Sequence, residues 1–221
     1  MNIRVLIADD HKIMREGLRS LLKDQPDIKV IAEAEDGRNA VQLACELLPD
    51  VVIMDVAMSD MNGIDATRKI IAGAPSVKVI ALSMYSNRRF VIEMLKAGAR
   101  GYLLKDCTFQ DLASAIRTVF GNRTYLSPGI SDILIKDYLH NLSREESDEK
   151  PTVFSILTER EREVIQLLAE GKTTKEIATV LKVSVKTIEA FRHKIMKKLN
   201  IHSIAKLTKY AVREGLTSTD N

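Results

Sequence analysis

Only two cysteines, Cys45 and Cys107, occur in 221 residues, and they show neither metal-ligand nor paired spacing. That excludes a disulfide scaffold or a thiolate metal site and leaves two small buried thiols in a reducing compartment, the cytoplasm. No apolar run is long enough to cross a bilayer, and the opening run IRVLIA meets Asp9 and Asp10 too early for a secretory signal, so no membrane association is expected. Repeats and low-complexity tracts are absent. So is any nucleotide-binding glycine motif, which means that a phosphoryl donor would have to be another molecule. The DxDx[TV] pattern of aspartate-based phosphatases is missing at Asp55-Val56-Ala57, which argues against a hydrolase acting on external phosphoesters.

Asp9, Asp10, Asp55, Ser83 and Lys105 each close a short β-branched apolar run, in IRVLIADD, VVIMD, VKVIALS and ARGYLLK. Strands are expected at 3–8, 28–34, 51–55, 77–83 and 100–104. Helical patterns lie near 11–24, 37–47, 63–73, 88–97 and 108–120. Pro26, Pro49 and Pro75 fall in connections after helices, and Gly121-Asn122 reads as a helix stop. Five βα units predict an α/β doubly wound five-stranded parallel sheet in a domain of residues 1–122. Ligands of such sheets sit at the carboxyl ends of the strands, where three carboxylates, a hydroxyl and an amine would meet.

Carboxylates gathered in this way repel one another unless a cation binds or a proton is taken up. A hard divalent ion with oxygen ligands meets that need, and Mg²⁺ typically uses one or two carboxylates together with water and phosphate. A carboxylate can itself be a nucleophile, forming an aspartyl phosphate, and a metal and a lysine can neutralise the transferring oxygens.

IADDH, DVAMSDMNG, ALSM and GYLLKD resemble, in order and spacing, the signature segments of bacterial response-regulator receiver domains, which have a flavodoxin-like fold. The resemblance implies that Asp55 is the phosphoacceptor. Asp9, Asp10, Asp55 and the backbone carbonyl of Ala57 would hold Mg²⁺. Lys105 would pair with the phosphoryl group, Ser83 would hydrogen-bond to it, and Tyr102 would be the switch aromatic. Ser59 and Asn62 stand where the family usually has proline and aspartate, and Asn62-Gly63 still suits a tight turn. Met84 and Tyr85 are bulky enough to screen the site from water. His11 reads as a surface residue at a helix start.

Residues 123–152 change character, with room for one short helix before the polar stretch SREESDEKP, which reads as an exposed linker. Charge then divides the chain. Residues 1–150 hold 20 Lys/Arg against 22 Asp/Glu, whereas 172–213 hold 11 against 2, the footprint of a nucleic-acid binder. Residues 153–221 offer no convincing strand. Thr158 with Glu161 and Thr173 with Glu176 fit capping boxes, a third helix follows Ser184, and a fourth spans about 203–214, which makes a small all-α four-helix domain.

TTKEIATVLKVSVKTIEAFRHKIMKKL reads as two helices joined at Lys182-Val183-Ser184, a helix-turn-helix whose second helix would enter the major groove of double-stranded DNA. Ile188, Phe191, Ile195 and Leu199 fall on its core side, while Lys186, Ala190, His193 and Lys197 lie opposite, with Glu189 and Lys194 nearby. Glu189 and Ala190 suit base contacts. Lys186, Thr187, Arg192 and Lys194 suit phosphates, and His193 suits either. LTEREREVIQLLAEGKTTKEIA with SVKTIEAFRHKIMKKLNI is similar to the LuxR-type DNA-binding domain, with Phe191 where histidine is common. That likeness implies a homodimer on DNA, formed through residues such as Ile204, Leu207 and Ala211, with packing of this helix onto the domain's own core as the alternative. Together the halves resemble the NarL/FixJ class, a non-enzymatic regulator phosphorylated by a sensor histidine kinase. A phosphorylation-independent LuxR-type regulator and a phosphate-sink receiver are the alternatives.

Overall fold

The computed structural model describes residues 2–84, 86–142 and 152–217. They divide into two compact units with the boundary near residue 150. The first unit alternates β1 (Ile3–Ala8), α1 (Lys12–Lys23), β2 (Ile28–Ala34), α2 (Gly37–Leu47), β3 (Val51–Asp55), α3 (Gly63–Gly73), β4 (Lys78–Ser83), α4 (Arg88–Lys96), β5 (Gly101–Leu104) and α5 (Phe109–Phe120). It then adds a two-residue strand, β6 (Tyr125–Leu126), and a helix, α6 (Pro128–Leu142).

The sheet is parallel throughout, in the order β2-β1-β3-β4-β5-β6. The five expected strands form its body, and the sixth extends one edge. Both faces are covered, which is why the strands read as near-continuous apolar runs rather than as alternating ones. Val5, Ile7, Ile53, Ile80 and Leu103 pack with Leu18 and Leu22 of α1 and Leu112, Ile116 and Val119 of α5. The intervening residues Leu6, Val52, Met54, Val79 and Ala81 are equally buried, on the opposite face by strand periodicity. Each such side chain contributes roughly 1.5–3 kcal/mol on leaving water.

Strand order reverses at β1, whose neighbours are β2 and β3. Crevices in doubly wound sheets open at this switch point, outside the carboxyl ends of the strands. Gly63 closes the loop after β3: its amide donates to the Val56 carbonyl at 2.9 Å. A Cβ at Gly63 would lie 1.9 Å from the Asp55 carbonyl oxygen, so only glycine permits this approach.

The second unit contains α7 (Val153–Ile156), α8 (Glu159–Ala169), α9 (Thr174–Val180), α10 (Val185–Leu199) and α11 (Ile204–Arg213). The four expected helices are present, preceded by the single turn α7. Thr158 and Glu161 form a reciprocal capping box at α8, as do Thr173 and Glu176 at α9. Val164, Leu168, Ile177, Leu181, Ile188, Ile195, Leu207 and Ala211 make the core. Lys182, in the turn between α9 and α10, has φ +53°, a left-handed conformation that ends the first helix sharply. Of the expected linker, residues 125–142 form β6 and α6, and residues 143–151 lie outside the described residues.

Candidate functional site

β1 delivers Asp9 and Asp10 one and two residues past its end, β3 ends on Asp55, and β4 ends on Ser83. Lys105 follows β5, and its amide donates to the Ser83 carbonyl at 2.8 Å. Parallel pairing therefore collects all five residues at one crevice. Lys105 Nζ donates to Asp9 Oδ2 at 2.7 Å and to Asp55 Oδ2 at 2.8 Å, its side chain only 6% exposed. The ammonium offsets part of the repulsion between two buried carboxylates.

Burial raises the Asp55 pKa, Lys105 opposes that shift, and the charges of Asp9 and Asp10 add to it. For Lys105, burial favours the neutral amine, but the charges of Asp55 and Asp9 and their hydrogen bonds outweigh it and raise its pKa. The lysine is thus held as a cation beside a carboxylate that is costly to ionise.

Asp9 is fixed from several sides. Its amide donates to the Ala34 carbonyl at 3.2 Å, its carbonyl accepts from Arg15 Nη1 at 2.6 Å, and its Oδ1 accepts from the His11 amide at 2.8 Å. The His11 ring also faces the crevice, with Nδ1 2.9 Å from Asp10 Oδ1 and 3.3 Å from Asp9 Oδ1. His11 is exposed at the start of α1, as expected from sequence, and its ring also reaches these two carboxylates. Arg15, which holds the Asp9 carbonyl, lies outside the strand-end pattern that points to the other residues. The available signal was basic Lys12 and Arg15 in the first turn of α1, with no acidic residue there, against the helix-dipole preference.

Donor atoms of Asp9, Asp10, His11 and Asp55 all lie within 4.8 Å of one another. Three of them are hard carboxylate oxygens, a donor set that suits a divalent cation. The Ala57 amide approaches Asp55 Oδ1 at 3.5 Å, bringing the backbone after β3 to the same place.

Ser83 and Tyr102 are both fully buried. Burial pushes the Tyr102 phenol up to about 12, eased by its hydrogen bond to the Ser83 side chain and raised further by the charge of Asp55. Met84 is 74% exposed, so it is not packed over the crevice as a water screen. Tyr85 lies outside the described residues.

In the second unit, α10 buries Ile188 and Ile195 and partly buries Phe191 and Leu199. Lys186, Glu189, Ala190, His193, Lys194 and Lys197 are exposed, while Thr187 and Arg192 are half-buried. The Thr187 amide donates to Ser184 Oγ at 3.1 Å and the two hydroxyls lie 2.8 Å apart, so Thr187 takes part in the cap of α10. The expected dimer contacts need correction. Leu207 and Ala211 are 1% and 0% exposed, packed into the unit's own core, while Ile204 is 46% exposed. An apolar stripe on α11 looks the same in sequence whether it meets its own core or a partner.

Residues 5–117 match the response regulator receiver domain, and residues 155–211 match the bacterial regulatory proteins of the luxR family. The chain is 38% identical to the oxygen regulatory protein NreC of Staphylococcus carnosus (strain TM300) over 215 residues, 97% of this chain and 99% of that one. It is 35% identical to the transcriptional regulatory protein DegU of Brevibacillus brevis over 222 residues, 96% of this chain and 94% of that one. The structure of the two-component response regulator RcsB-DNA complex aligns with TM-score 0.58 and 29% identity, covering 95% of this chain and 98% of that one. The chain therefore belongs to the LuxR-type two-component response regulators, transcription factors that couple a receiver domain to a DNA-binding helical domain.

Proposed function

We propose that Asp55 accepts a phosphoryl group from the phosphohistidine of a cognate sensor kinase in the cytoplasm, and that its charge controls DNA binding by the second unit. The observation that carries this reading is Lys105 Nζ set between Asp9 and Asp55 at 2.7 and 2.8 Å. An Asp55 oxygen attacks phosphorus, the phosphorus–nitrogen bond breaks, and the imidazole leaves with the electron pair and takes up a proton. Asp9, Asp10, Asp55 and the Ala57 carbonyl would hold Mg²⁺, which supplies charge neutralisation at the transferring oxygens. Lys105 exchanges a carboxylate partner for a phosphoryl oxygen, and Ser83 turns its hydroxyl toward the same group. Hydrolysis of the acyl phosphate on the protein itself resets the switch, with no turnover of an outside substrate.

Residues 1–122 act as the receiver, 123–152 as the linker and 153–221 as the output domain. The phosphoryl group biases an equilibrium between two existing states. Moving that equilibrium from mostly off to mostly on takes about 5 kcal/mol of differential stabilisation. The output presents Lys186, Thr187, Glu189, Ala190, Arg192, His193, Lys194 and Lys197 of α10 to DNA, as a homodimer over paired half-sites. Because Leu207 and Ala211 are spent on the core, the α11 contact in that dimer is left to exposed residues such as Ile204. Intact-protein mass spectrometry after treatment with acetyl phosphate and Mg²⁺ tests the reading. One phosphoryl adduct is expected on the wild type and none on D55N, while an equal adduct on both overturns it.

A further inference from the structure

A parallel sheet exposes unpaired amides and carbonyls along each edge unless something covers them. β5, the strand that carries Tyr102, is covered by the chain's own continuation. The Tyr125 amide donates to the Arg100 carbonyl at 3.0 Å, and the Ser127 amide donates to the Tyr102 carbonyl at 3.1 Å. Gly101 and Tyr102 pair in register with Tyr125 and Leu126. Tyr125 also packs against the core cluster that includes Leu103, Leu112 and Ile116. Immediately afterwards Pro128 opens α6, which buries Ile130 completely and packs against α4.

One residue thus faces both ways. The Tyr102 hydroxyl is bonded to Ser83 in the crevice, while its carbonyl holds the segment that leads out of the receiver. Ser83 closes β4, five residues before α4 begins, and α4 is the helix on which α6 rests. We propose that residues 125–142 form a strap that reads the state of the receiver. When Ser83 turns toward a phosphoryl group on Asp55, Tyr102 and α4 shift, and β6 and α6 change their hold on β5 and α4. The occupant of the β5 edge is this chain's own exit segment, and the change in that segment is what travels toward the output domain. This inference rests on the phosphoacceptor reading of Asp55.

Hydrogen exchange with mass spectrometry on the full chain, with Mg²⁺ and with or without beryllium fluoride as the phosphoryl mimic, tests it. Local opening of a few hydrogen bonds is well within reach of the method. Peptides spanning 125–142 are expected to change exchange rate at least about threefold on adding the mimic, together with peptides of 86–97, and neither changes in D55N. A response confined to 86–97 overturns the strap and leaves the phosphoacceptor reading standing. No response anywhere in the wild type overturns the phosphoacceptor reading and the strap with it. A response at 125–142 that grows with protein concentration assigns the β5 edge to a second copy and also overturns the strap. S127P removes the amide that reaches Tyr102. In that variant 125–142 should exchange fast with or without the mimic while 86–97 still responds, and a retained response at 125–142 counts against the proposal. If S127P does not fold, the wild-type and D55N comparison decides alone.

Discussion

Tyr102 and Ser83 share a hydrogen bond in which both partners are completely buried, so the hydroxyl of each is part of the other's solvation. Removing one partner takes that bond from the other. Tyr102→Phe is expected to cost about 1 kcal/mol in urea unfolding of the receiver, and Ser83→Ala a similar amount. The double variant should cost less than the two together, because the shared bond is lost only once. Strict additivity in that cycle would argue against the bond.

Lys105 stands between two carboxylates that would otherwise face each other. Lys105→Met should lower receiver stability by about 3 kcal/mol in metal-free buffer, since breaking a buried pair leaves an uncompensated charge. Millimolar Mg²⁺ should restore more stability to this variant than to the wild type. Equal Mg²⁺ responses in thermal melts of both proteins would be the contrary result.

Two glycines with opposite surroundings offer a paired test. Gly63→Ala drives a methyl group to within 1.9 Å of the Asp55 carbonyl and should destabilise by about 3 kcal/mol or abolish folding. Gly17 lies inside α1 with nothing within 4 Å of an added Cβ, so Gly17→Ala should stabilise by about 0.5–1 kcal/mol. Urea midpoints of the two variants decide both.

Glu161 gives the helical unit an acid limit. Burial raises its pKa, but the hydrogen bond from Lys198, those from the Thr158 amide and hydroxyl, and the Lys198 charge outweigh that and hold it below the ordinary carboxylate range. A lowered folded-state pKa contributes stability above the unfolded value that disappears as pH falls through the folded one. Unfolding of this unit should therefore become easier below about pH 4.3, and Glu161→Gln should flatten that slope. An unchanged slope in E161Q would assign the acid sensitivity elsewhere.

On α10, Lys186, Lys194 and Lys197 are exposed, and the proposed DNA interface uses their charge. Replacing any of them by alanine should weaken binding to random and selected DNA alike and reduce the salt slope by about one. Glu189→Ala should instead relax base preference by about 1–3 kcal/mol at one position, read by competition between related sites.

The strands of the receiver were legible because their apolar runs are buried on both faces and end in chemistry. Strand β6 was not, because Tyr125-Leu126 becomes a strand only when the β5 backbone is present to receive it. The single turn α7 is shorter than the period by which a helix is recognised. At the crevice, residue types at strand ends located Asp9, Asp10, Asp55, Ser83 and Lys105. His11 and Arg15 act through positions on a helix start, where composition says little about direction. For Leu207 and Ala211 the sequence leaves a partner and the unit's own core both open, because periodicity reports that a face is apolar and not what covers it.

β6 also decides where this protein can safely be cut. The sheet has two margins among the described residues, β2, where exposed Lys29 discourages strand addition, and the two-residue β6, which covers Gly101 and Tyr102 of β5. A fragment ending at residue 122 would uncover the backbone of Gly101 and Tyr102, whereas one ending after Leu142 keeps those two residues paired with Tyr125 and Leu126. The shorter piece should therefore self-associate more readily than the longer one.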